Sequence, residues 1–597
     1  MKQRIADYIA DFLYSKGITD IFSVVGGGAM HLNDAFGKHE KLHVIHNHHE
    51  QASAMAAEGY ARINEKPAAV CVTTGPGGTN ALTGVLCAWL DNVPMIVISG
   101  QVRYSTTVEY SGLNLRQFGE QEYYIVRSAA PMTKFAYMVK DPYEIRAVLE
   151  KAYYIATTGR RGPVWIDVPL NVQGAIIDTD GLKGFEVPTD YEDYTPKAQS
   201  IIDKLRSAKA PLILAGESIR RSGAYDAFRA LVEKLNIPVL SPTCVADILP
   251  IGHRYYYEHF GVAGGRTGNF LVQNADVILS LGCRLSFNQI GFNYEAFAPQ
   301  AYKIVVDVDD DELKKHTLKI NMPVKGDLKK LLESMNGLIC DGIEAKSDWI
   351  AYADTLRDKF QWIKEVKISP KGINPYRMIE RLVNHLNADD VIVVGNSSGS
   401  AYALHYGVVK EGQRFFGNRN CGTMGYDLPA AMGASMAKGG RVICLTGDGS
   451  IQMNIQELQT VVLNKIPVKL MIYNNNGYQG IVRTQTNYFN GRLTGCTPES
   501  GLDCPDWEKI AHAFGFPYEK IETDAELDEK LDAFLSTPGY GLCEVIEDSS
   551  QGPAFKTTSK KLESGEMVSA PLDELAPKLS EEEFNKYRYF NKREAVE

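Results

Sequence analysis

The residues most suited to chemistry lie in two short polar segments in the last third of the chain. One apolar run ends at Gly447-Asp448-Gly449-Ser450, and the next ends at Asn474-Asn475-Asn476-Gly477. Neighbouring parallel strands end at the same sheet edge, so we expect Asp448 and Asn475 to lie close together. A carboxylate and an amide oxygen suit Mg²⁺ or Ca²⁺, especially when a phosphate supplies further ligands. Because glycine lets backbone N–H groups approach an anion at a helix start, the pattern predicts a metal-bridged diphosphate site.

A second polar cluster lies near the N-terminus, in the stretch HVIHNHHEQ, where three histidines raise the question of a metal site. In a strand, His46 and His48 share one face and point away from His49, so the three side chains do not converge. None of them has a partner four residues along a helix, the spacing common in zinc sites. We interpret the histidines as surface or hydrogen-bonded residues at a strand end, with His49 nearest the site. Glu50 is the member of this cluster that we expect to do chemistry.

Positioning these residues requires strands that end at one sheet edge, and the hydrophobic pattern supplies such strands. Three stretches, 1–183, 198–340 and 371–550, each alternate helical periodicity with short apolar, β-branched runs. This alternation predicts an α/β fold made of three doubly wound parallel-sheet domains. The polar stretch 184–197 is interpreted as a linker and 345–370 as a helical connector. The weakly patterned tail, 551–597, is either an ordered cap or a mobile end.

Composition narrows the class of protein. The chain has 597 residues, 44% of them hydrophobic and 23% charged, which is ordinary for a globular protein. The formal net charge of −10 and the lack of a long basic run argue against nucleic-acid binding. No apolar stretch approaches the length of a membrane span and the N-terminal segment is not a signal peptide, so we expect no membrane and a cytoplasmic location. The ten cysteines form no C-x-x-C pair and are interpreted as reduced thiols.

Several motifs occur in the order found in one enzyme family. They are HHEQASAMAAEGYAR, TTGPGGTNALTGVL, CGTMGYDLPAAMGAS and GDGSIQMNIQEL, and 24 residues run from Ser450 to Tyr473 before the first two asparagines. Over nearly its whole length the chain resembles the acetolactate synthase-like family of thiamine diphosphate enzymes. The resemblance implies a pyrimidine-binding domain, a central domain and a diphosphate-binding domain. It also implies a homodimer or homotetramer, because active sites in this family lie between the first domain of one subunit and the third of another.

The same resemblance assigns roles to residues by their position in the motifs. Glu50 is implied to face the pyrimidine ring of thiamine diphosphate as a catalytic residue. Gln101 and Gln121 lie at or near positions where the family places polar groups around the reaction intermediate, and Gln121 is a second catalytic candidate. Met424 is implied to be the apolar wedge beneath the thiazolium ring, and the backbone of Gly422 to accept from the pyrimidine amino group. Contacts to the cofactor's diphosphate end are implied for Asn396, Ser397, Gly449, Ser450 and Asn475. Ligands to Mg²⁺ are implied to be Asp448, Asn475 and the carbonyl of Gly477.

The implied reaction is decarboxylation of pyruvate or a related 2-keto acid and transfer of the two-carbon unit to a carbonyl acceptor. Gln485 stands where acetolactate synthases of branched-chain amino-acid synthesis carry a tryptophan that shapes the acceptor pocket, and Tyr426-Asp427 also departs from the family pattern. A keto sugar of a polysaccharide pathway is therefore an alternative acceptor. A C–C hydrolase, a 2-keto acid decarboxylase and a non-enzymatic homologue are further alternatives.

FAD is left open as a second cofactor. Acetolactate synthases hold FAD on the central domain without using its redox chemistry. Here FGVAGGRTGNF and GCRLSFNQIG lie where the family places its flavin contacts. Ser286-Phe287-Asn288-Gln289, however, replaces an Asp-Asp-Arg type of sequence.

Overall fold

The computed structural model describes residues 2–189, 191–366, 371–561 and 567–590. These residues contain three six-stranded sheets flanked by helices, and every strand pairing within the three sheets is parallel. The predicted α/β fold with three doubly wound domains is confirmed. No helix among the described residues is long and apolar enough to cross a membrane.

The first domain carries one of the three sheets. Its strands are β1 (Asp20–Ser23), β2 (His43–His46), β3 (Ala68–Val72), β4 (Met95–Gln101), β5 (Phe135–Met138) and β6 (Pro163–Pro169). Their order in the sheet is β2-β1-β3-β4-β6-β5. The main helices are α1 (Ile5–Ser15), α2 (Met30–Lys38), α3 (Glu50–Asn64), α4 (Pro76–Leu90) and α5 (Ile145–Thr157). The inner strands β3, β4 and β6 are buried along their whole length, which is why they read as unbroken apolar runs.

The central domain has a different strand order. Its strands are β7 (Pro211–Ala215), β8 (Val239–Pro242), β9 (Tyr256–Phe260), β10 (Val277–Leu281), β11 (Tyr302–Asp307) and β12 (Met322–Lys325). They are ordered β9-β8-β7-β10-β11-β12, so successive strands are added on one side of β7 and then, from β10, on its other side, while all strands stay parallel. The main helices are α6 (Thr195–Ser207), α7 (Tyr225–Leu235), α8 (Arg266–Asn274) and α9 (Leu328–Leu338). Ligands of open parallel sheets bind at such a reversal point.

The third domain repeats the strand order of the first. Its strands are β13 (Val391–Val394), β14 (Arg414–Gly417), β15 (Val442–Gly447), β16 (Val468–Asn474), β17 (Tyr518–Ile521) and β18 (Gly541–Ile546), ordered β14-β13-β15-β16-β18-β17. Between the second and third domains lies α10 (Ser347–Lys359). The main helices of the third domain are α11 (Pro375–His385), α12 (Ser398–Tyr406), α13 (Asp427–Lys438), α14 (Glu457–Asn464), α15 (Gln479–Tyr488), α16 (Trp507–Phe514) and α17 (Leu527–Ser536).

Helices α3 and α13 bring the first and third domains into backbone contact. A Cβ atom on Gly59 would lie 2.1 Å from the carbonyl oxygen of Ala430, and one on Gly433 would lie 1.8 Å from that of Ala56. Only glycine fits at these two positions. As residue numbers rise along α3 from Ala56 to Gly59, their partners fall along α13 from Gly433 to Ala430, so the two helices run antiparallel.

The connecting segments refine the sequence-based interpretation. The polar stretch 184–197 is a shorter linker than expected, because α6 already begins at Thr195 and Tyr194 is buried. The connector 345–370 is helical where described, and Trp349 of α10 is packed into the central core. Residues 367–370 of this connector lie outside the described residues.

The described part of the tail is an ordered cap that crosses from the third domain to the central one. Phe555 packs edge-on against Trp362 with ring centroids 4.8 Å apart. Farther along, the carbonyl of Leu572 accepts from Asn269 Nδ2 at 3.0 Å, and Tyr587 packs against the central core. Residues 551–561 and 567–590 thus pack as the cap alternative describes, and the rest of the tail lies outside the described residues.

Candidate active site

Asp448 and Asn475 meet at the edge of the third sheet, as the sequence predicts. Asp448 directly follows β15 and Asn475 follows β16, and these strands are neighbours. The Asp448 carboxylate accepts three backbone N–H groups: Oδ2 accepts from Asn475 and Gly477, each at 3.1 Å, and Oδ1 accepts from Gly449 at 2.8 Å. One buried side chain therefore joins both loops.

The electrostatics of Asp448 favour a bound cation. The residue is 2% exposed, and burial raises the pKa of its carboxyl to about 6, although the backbone N–H groups of Gly477, Gly449 and Asn475 act in the opposite direction. Burial has this effect because the ionised form loses its hydration. A divalent cation beside the carboxylate would offset that cost, since a bound ion is the largest local charge in such a site.

Two further oxygens of the predicted set lie on the same loop. Asn475 Nδ2 donates to Glu547 Oε2 at 2.9 Å, so Oδ1 is the amide atom that this side chain can offer to a cation. Gly477 has φ +150°, and a Cβ there would lie 2.2 Å from the carbonyl oxygen of Cys496, so this turn requires glycine. Among the described residues, no group of three or more His, Cys, Asp or Glu side chains could hold a metal ion. The mixed carboxylate, amide and carbonyl set fits Mg²⁺ chemistry.

The GDGS turn is tied to the GTMG turn through Ser450. Ser450 Oγ accepts from the backbone N–H of Gly425 at 3.0 Å and donates to Asp427 Oδ2 at 2.7 Å. The carbonyl of Gly425 in turn accepts from Asn454 Nδ2 at 2.7 Å. At Gly449 a Cβ would lie 2.1 Å from the Tyr478 ring, so only a glycine lets this backbone sit so close. A short 3₁₀ turn, Ile451–Asn454, then leads to α14.

The other predicted cofactor contacts border the same turns. Asn396 Nδ2 donates to the carbonyl of Gly422, so these two predicted residues are paired with one another. Gly422 has φ +64°, a left-handed conformation that favours glycine. Ser397 caps α12, because its hydroxyl accepts from the backbone N–H of Ser400 at 3.0 Å. Met424 is half-buried and belongs to none of the apolar core clusters formed by the described residues, which disfavours a plain packing role.

Glu50 is the first residue of α3, in the first domain. Its carboxylate is 9% exposed, and Oε2 accepts from Asn80 Nδ2 at 3.0 Å. The ring of His49 caps the helix, with Nδ1 accepting from the backbone N–H of Gln51 at 3.1 Å. The positive end of the helix dipole favours a carboxylate at this position. The site therefore holds one nearly buried carboxylate that is ordered by an amide side chain.

The three histidines beside Glu50 do not converge on a common point. His46 and His48 are exposed, and His49 is the helix cap. The backbone N–H of His48 donates to Glu457 Oε1 at 2.9 Å, and Asn47 Nδ2 donates to Glu457 Oε2 at the same distance. Glu457 is fully buried at the start of α14, so it anchors this turn of the first domain to the third domain.

The sequence comparisons agree with this geometry. Three family models match: thiamine pyrophosphate enzyme, N-terminal TPP binding domain, over residues 3–121; thiamine pyrophosphate enzyme, central domain, over 198–335; and thiamine pyrophosphate enzyme, C-terminal TPP binding domain, over 394–545. The probable acetolactate synthase large subunit of Methanocaldococcus jannaschii is 32% identical over 92% of this chain and 93% of its own.

Other relatives agree. The acetolactate synthase large subunit of Lactococcus lactis is 31% identical over 86% of this chain and 88% of its own. Acetolactate synthase 2, chloroplastic, of Nicotiana tabacum is 29% identical over 91% and 82%. The chain belongs to the thiamine pyrophosphate enzyme family. It is an acetolactate synthase-like, thiamine diphosphate-dependent transferase, and the resemblance stated from its motifs is confirmed.

In this thiamine pyrophosphate enzyme, the two glutamines predicted near the reacting groups have different surroundings. Gln101 is buried, and its amide accepts from the Thr74 hydroxyl at 2.5 Å and donates to the carbonyl of Tyr123 at 2.9 Å and to Asp167 at 3.1 Å. Gln121 is exposed and has φ +60°. Gln101 therefore holds the loop that carries Gln121, and Gln121 is the glutamine whose side chain reaches solvent.

The side chain of Gln485 is hydrogen-bonded to the backbone of Thr494. Its Oε1 accepts from the backbone N–H of Thr494 at 2.7 Å, and its Nε2 donates to the carbonyl of Thr494 at 3.1 Å. Arg483, on the same helix, donates to the Tyr402 hydroxyl and to the carbonyl of Gln551. Helix α15 thus follows the loop after β16 and carries the polar residues Arg483 and Gln485, the latter at the position where a tryptophan is expected in relatives of branched-chain synthesis.

A cleft that is partly open to solvent lies at the reversal point of the central sheet of this enzyme and is also lined by residues of the first and third domains. It lies beside the ends of β7, β10 and β11, at Gly216, Gly282 and Asp307. Burial raises the pKa of the Asp307 carboxyl. Ser286 and Gln289, which form a capping box, also line the cleft, as do four arginines: Arg160, Arg161, Arg221 and Arg284. Guanidinium groups and a strand-end carboxylate are the groups that recognise pyrophosphate and ribose.

Four residues that organise the site were not assigned that role from the sequence. All four are polar residues that bond a segment distant in sequence: Asn80, Asp427, Glu457 and Glu547. A sequence signal existed for Asp427, because it directly follows GTMG-Tyr at a helix start. Asn80 and Glu457 also lie within quoted motifs, TTGPGGTNALTGVL and GDGSIQMNIQEL, whereas Glu547 lies outside all of them.

Proposed function

We propose that this enzyme decarboxylates pyruvate, or a related small 2-keto acid, and transfers the two-carbon unit to a carbonyl acceptor. The observation that carries the proposal is the joining of Asp448, Asn475 and Gly477 at one sheet edge, with the GTMG turn held against them by Ser450. The names of the relatives, acetolactate synthases, support this reaction class.

The predicted site residues of the third domain would together hold the cofactor. Asp448, the amide oxygen of Asn475 and the carbonyl of Gly477 would hold Mg²⁺, and the metal would bridge to a diphosphate beside Gly449 and Ser450. When bound, thiamine diphosphate supplies a stabilised carbanion that can attack a 2-keto acid and take up the electron pair released with CO₂. The chain's own task is to bind, bend and orient that group and to move its protons.

The pair formed by Asn396 and Gly422 suggests how the site changes on loading. The Asn396 amide donates to the carbonyl of Gly422, which is the atom proposed to accept from the pyrimidine amino group. We propose that Asn396 leaves this carbonyl and turns to the diphosphate when the cofactor binds, while Ser397 stays as the cap of α12. Met424, half-buried next to this turn, would press under the thiazolium ring.

The antiparallel pairing of α3 and α13 supports a site built from two copies of the chain. Gly59 of α3 lies level with Ala430, near the start of α13 and therefore near the GTMG turn. Glu50 begins α3, and the nine residues to Gly59 correspond to about 14 Å along the helix axis. One pyrimidine ring is too small to span that offset. We therefore propose that Glu50 of one chain serves the cofactor held by the third domain of another.

Exposed apolar side chains support the same assembly. In the first domain Leu113 and Phe118 are 62% and 54% exposed, and in the third domain Tyr488 and Phe489 are 78% and 54% exposed. Contiguous exposed apolar surface in a globular protein marks an interaction site. Leu113 and Phe118 lie on the loop that carries Gln121, and Tyr488 and Phe489 lie at the end of α15, so a homodimer or homotetramer would cover these side chains. We place this assembly in the cytoplasm.

A complementation experiment tests the shared site. Glu50→Gln and Asp448→Asn chains are each expected to be inactive, and the two are co-expressed with different tags. A mixed dimer has one site with both defects and one with neither, so random pairing of equal amounts restores about a quarter of the wild-type activity. If both residues served the same site from one chain, every site would keep a defect and activity would not rise above that of the two variants alone.

The reaction itself is tested by incubating the chain with [¹³C]pyruvate, thiamine diphosphate and Mg²⁺ and identifying the products by NMR. We expect CO₂ release and a branched ketol, and we expect Glu50→Gln to lower turnover about 10²- to 10⁴-fold, the range for a lost proton-transfer group. Glu40→Gln, an exposed carboxylate of the same domain, is the matched control and should keep full turnover. Absence of CO₂ release with every acceptor tried would overturn the proposal.

A keto sugar is a second candidate acceptor, favoured by the polar side chains of α15. Gln485, Arg483 and Thr484 stand on the helix that follows the metal-binding loop. A polar wall suits a hydroxylated acceptor better than 2-ketobutyrate. The same NMR experiment distinguishes the outcomes: a branched sugar supports the keto-sugar acceptor, acetaldehyde a simple decarboxylase, and a ring-opened acid from a cyclic diketone a hydrolase.

We also propose that the central cleft takes FAD. The cleft lies at the reversal point of the sheet, where its arginines could donate to a pyrophosphate and the Asp307 carboxylate could accept from a ribose hydroxyl. The replacement sequence Ser286-Phe287-Asn288-Gln289 forms part of the wall rather than closing it, since Ser286 and Gln289 cap a short helix there. Titration of the purified chain with FAD, followed by the change in flavin fluorescence, tests this, and an unchanged signal would refute it.

A further inference from the structure

Two cysteines face each other where the first domain meets the cofactor-binding turn of the third. Cys87 lies on α4 and is fully buried, and Cys421 lies in the turn directly before Gly422 and is half-buried. Both side chains pack into the same apolar cluster, and each thiol is the main cause of the shift in the other's pKa. They are 334 positions apart in the sequence, which hides their contact from any local pattern.

The surrounding contacts fix this turn against α4. Asn418 Nδ2 donates to the carbonyl of Cys87 at 3.4 Å, and Asn420 Nδ2 donates to Asp91 at 2.6 Å. The backbone N–H of Gly422 donates to the carbonyl of Asn418 at 2.9 Å. The thiol pair therefore lies inside a junction that sets where the Gly422 carbonyl points.

The two thiols are chemically unequal in a way that suits oxidation. The hydrogen bond from Cys87 lowers the pKa of the Cys421 thiol, and the backbone N–H of Thr423 acts in the same direction. The same thiol pair raises the pKa of Cys87 well above its usual value, together with burial. A partly accessible cysteine with a lowered pKa, close to a second thiol, is the arrangement of a redox-sensing pair.

We propose that Cys87 and Cys421 form a reversible disulfide that lowers the affinity of the enzyme for thiamine diphosphate. The oxidant is a peroxide. The Cys421 sulfur attacks one peroxide oxygen, the O–O bond breaks, and a sulfenic acid and one water form. The Cys87 sulfur then attacks the Cys421 sulfur, the S–O bond breaks, and hydroxide leaves with the Cys87 proton as a second water. Two thiols lose two electrons in total, and one peroxide is reduced to two waters.

The effect on the cofactor follows from bond length. An S–S bond is about 2.05 Å long, shorter than any hydrogen-bonded contact between two thiols, so oxidation pulls Cys421 towards α4. Gly422 is the next residue and moves with it. Displacement of a contact group by about 1 Å can cost 10²-fold in function, so we expect a loss of cofactor affinity on the order of 10- to 100-fold. This second half of the inference rests on the proposed role of Gly422.

The test treats the full chain with hydrogen peroxide, blocks remaining thiols with N-ethylmaleimide, and digests without reductant. We expect mass spectrometry to find a linked Cys87–Cys421 peptide, and tryptophan fluorescence titration to show weaker thiamine diphosphate binding that dithiothreitol restores. Cys340→Ser is the matched control: Cys340 is exposed, and its removal should change neither result. In Cys87→Ser, Cys421 lacks a resolving thiol, so peroxide should drive it to sulfinic acid that dithiothreitol does not reverse.

Two results would overturn the inference. One is absence of the linked peptide at a peroxide concentration that oxidises Cys340. The other is a linked peptide with unchanged cofactor affinity. Because the peptide is detected by mass and not by turnover, its formation is judged separately from the proposed reaction. A chain that forms the peptide but releases no CO₂ from pyruvate would keep the thiol pair and refute only the reaction.

Discussion

Replacing Asp448 by asparagine separates the role of its charge from the role of its shape. The carboxylate accepts from Gly449 on one oxygen and from Asn475 and Gly477 on the other. An amide has a single acceptor oxygen, so whichever way it turns its NH₂ group faces at least one backbone N–H. Leaving a buried donor without an acceptor costs about 1–3 kcal/mol.

The same substitution removes the free-energy cost of keeping a buried carboxylate ionised. Burial raises the pKa of Asp448 from 3.8 to about 6, so holding it ionised at pH 7 costs about 3 kcal/mol at about 1.4 kcal/mol per pH unit. The two effects oppose each other and are of similar size. We therefore expect the free energy of unfolding without metal and cofactor to change by no more than about 2 kcal/mol in either direction.

The loaded enzyme behaves differently. Ligand present at a hundred times its dissociation constant stabilises the folded chain by about 2.7 kcal/mol, and Asp448→Asn should lose this gain because it lacks the metal-binding charge. The assay is urea unfolding and fluorescence titration, each with and without Mg²⁺ and thiamine diphosphate. Asp389→Asn, whose side chain is 79% exposed, is the control and should keep the gain. A variant that retains the Mg²⁺-dependent stabilisation, or that is unfolded without ligands, would refute the reasoning.

Two more predictions concern positions away from the metal. Gly433→Ala should destabilise the chain by about 1–3 kcal/mol in thermal unfolding, because its Cβ would lie 1.8 Å from the carbonyl oxygen of Ala56 and would force α3 and α13 apart. Gly37→Ala, at a helical position with open space around it, is the control and should be neutral or stabilising. Equal effects of the two substitutions would contradict the packing argument. Asp167 is fully buried, and burial raises its pKa to about 7, so its stabilising protonated form is lost as pH rises through 7. The free energy of unfolding should thus fall between pH 5 and 8 more steeply in the wild type than in Asp167→Asn, and parallel slopes would show that this carboxyl does not titrate there.

Residues at strand ends could be predicted from the sequence because one rule governs them. A buried parallel strand reads as an unbroken apolar run, and the polar residue after it must lie at the sheet edge. Asp448 and Asn475 follow adjacent strands, so their contact follows from topology alone. The three-domain α/β fold could also be predicted from the sequence, because strand and helix periodicities alternate along the chain.

Residues that act across domains could not be predicted in this way. Glu457 binds Asn47 from 410 positions away, and although it lies within the motif GDGSIQMNIQEL, nothing in that motif indicates a partner in the first domain. The pairing of Asn396 with Gly422 has the same character, because it depends on how two loops pack and not on the spacing within either. A polar residue can be solvated, cap a helix or bond a distant segment, and only the tertiary packing determines which of these roles it has.

A buried charge cluster shows why the three domains must assemble before the site exists. Arg62 of α3 is 1% exposed and pairs with Glu58 and Asp91 of its own domain and, at 2.7 Å, with Glu217 of the central domain. Glu58 also accepts from the hydroxyl of Tyr426, two residues after Met424 in the third domain. Removing one member of a buried ion pair costs about 3–5 kcal/mol, because its partner is left charged without compensation. The cluster therefore ties the cofactor-binding turn to both other domains, and the position of that turn is a property of the whole chain.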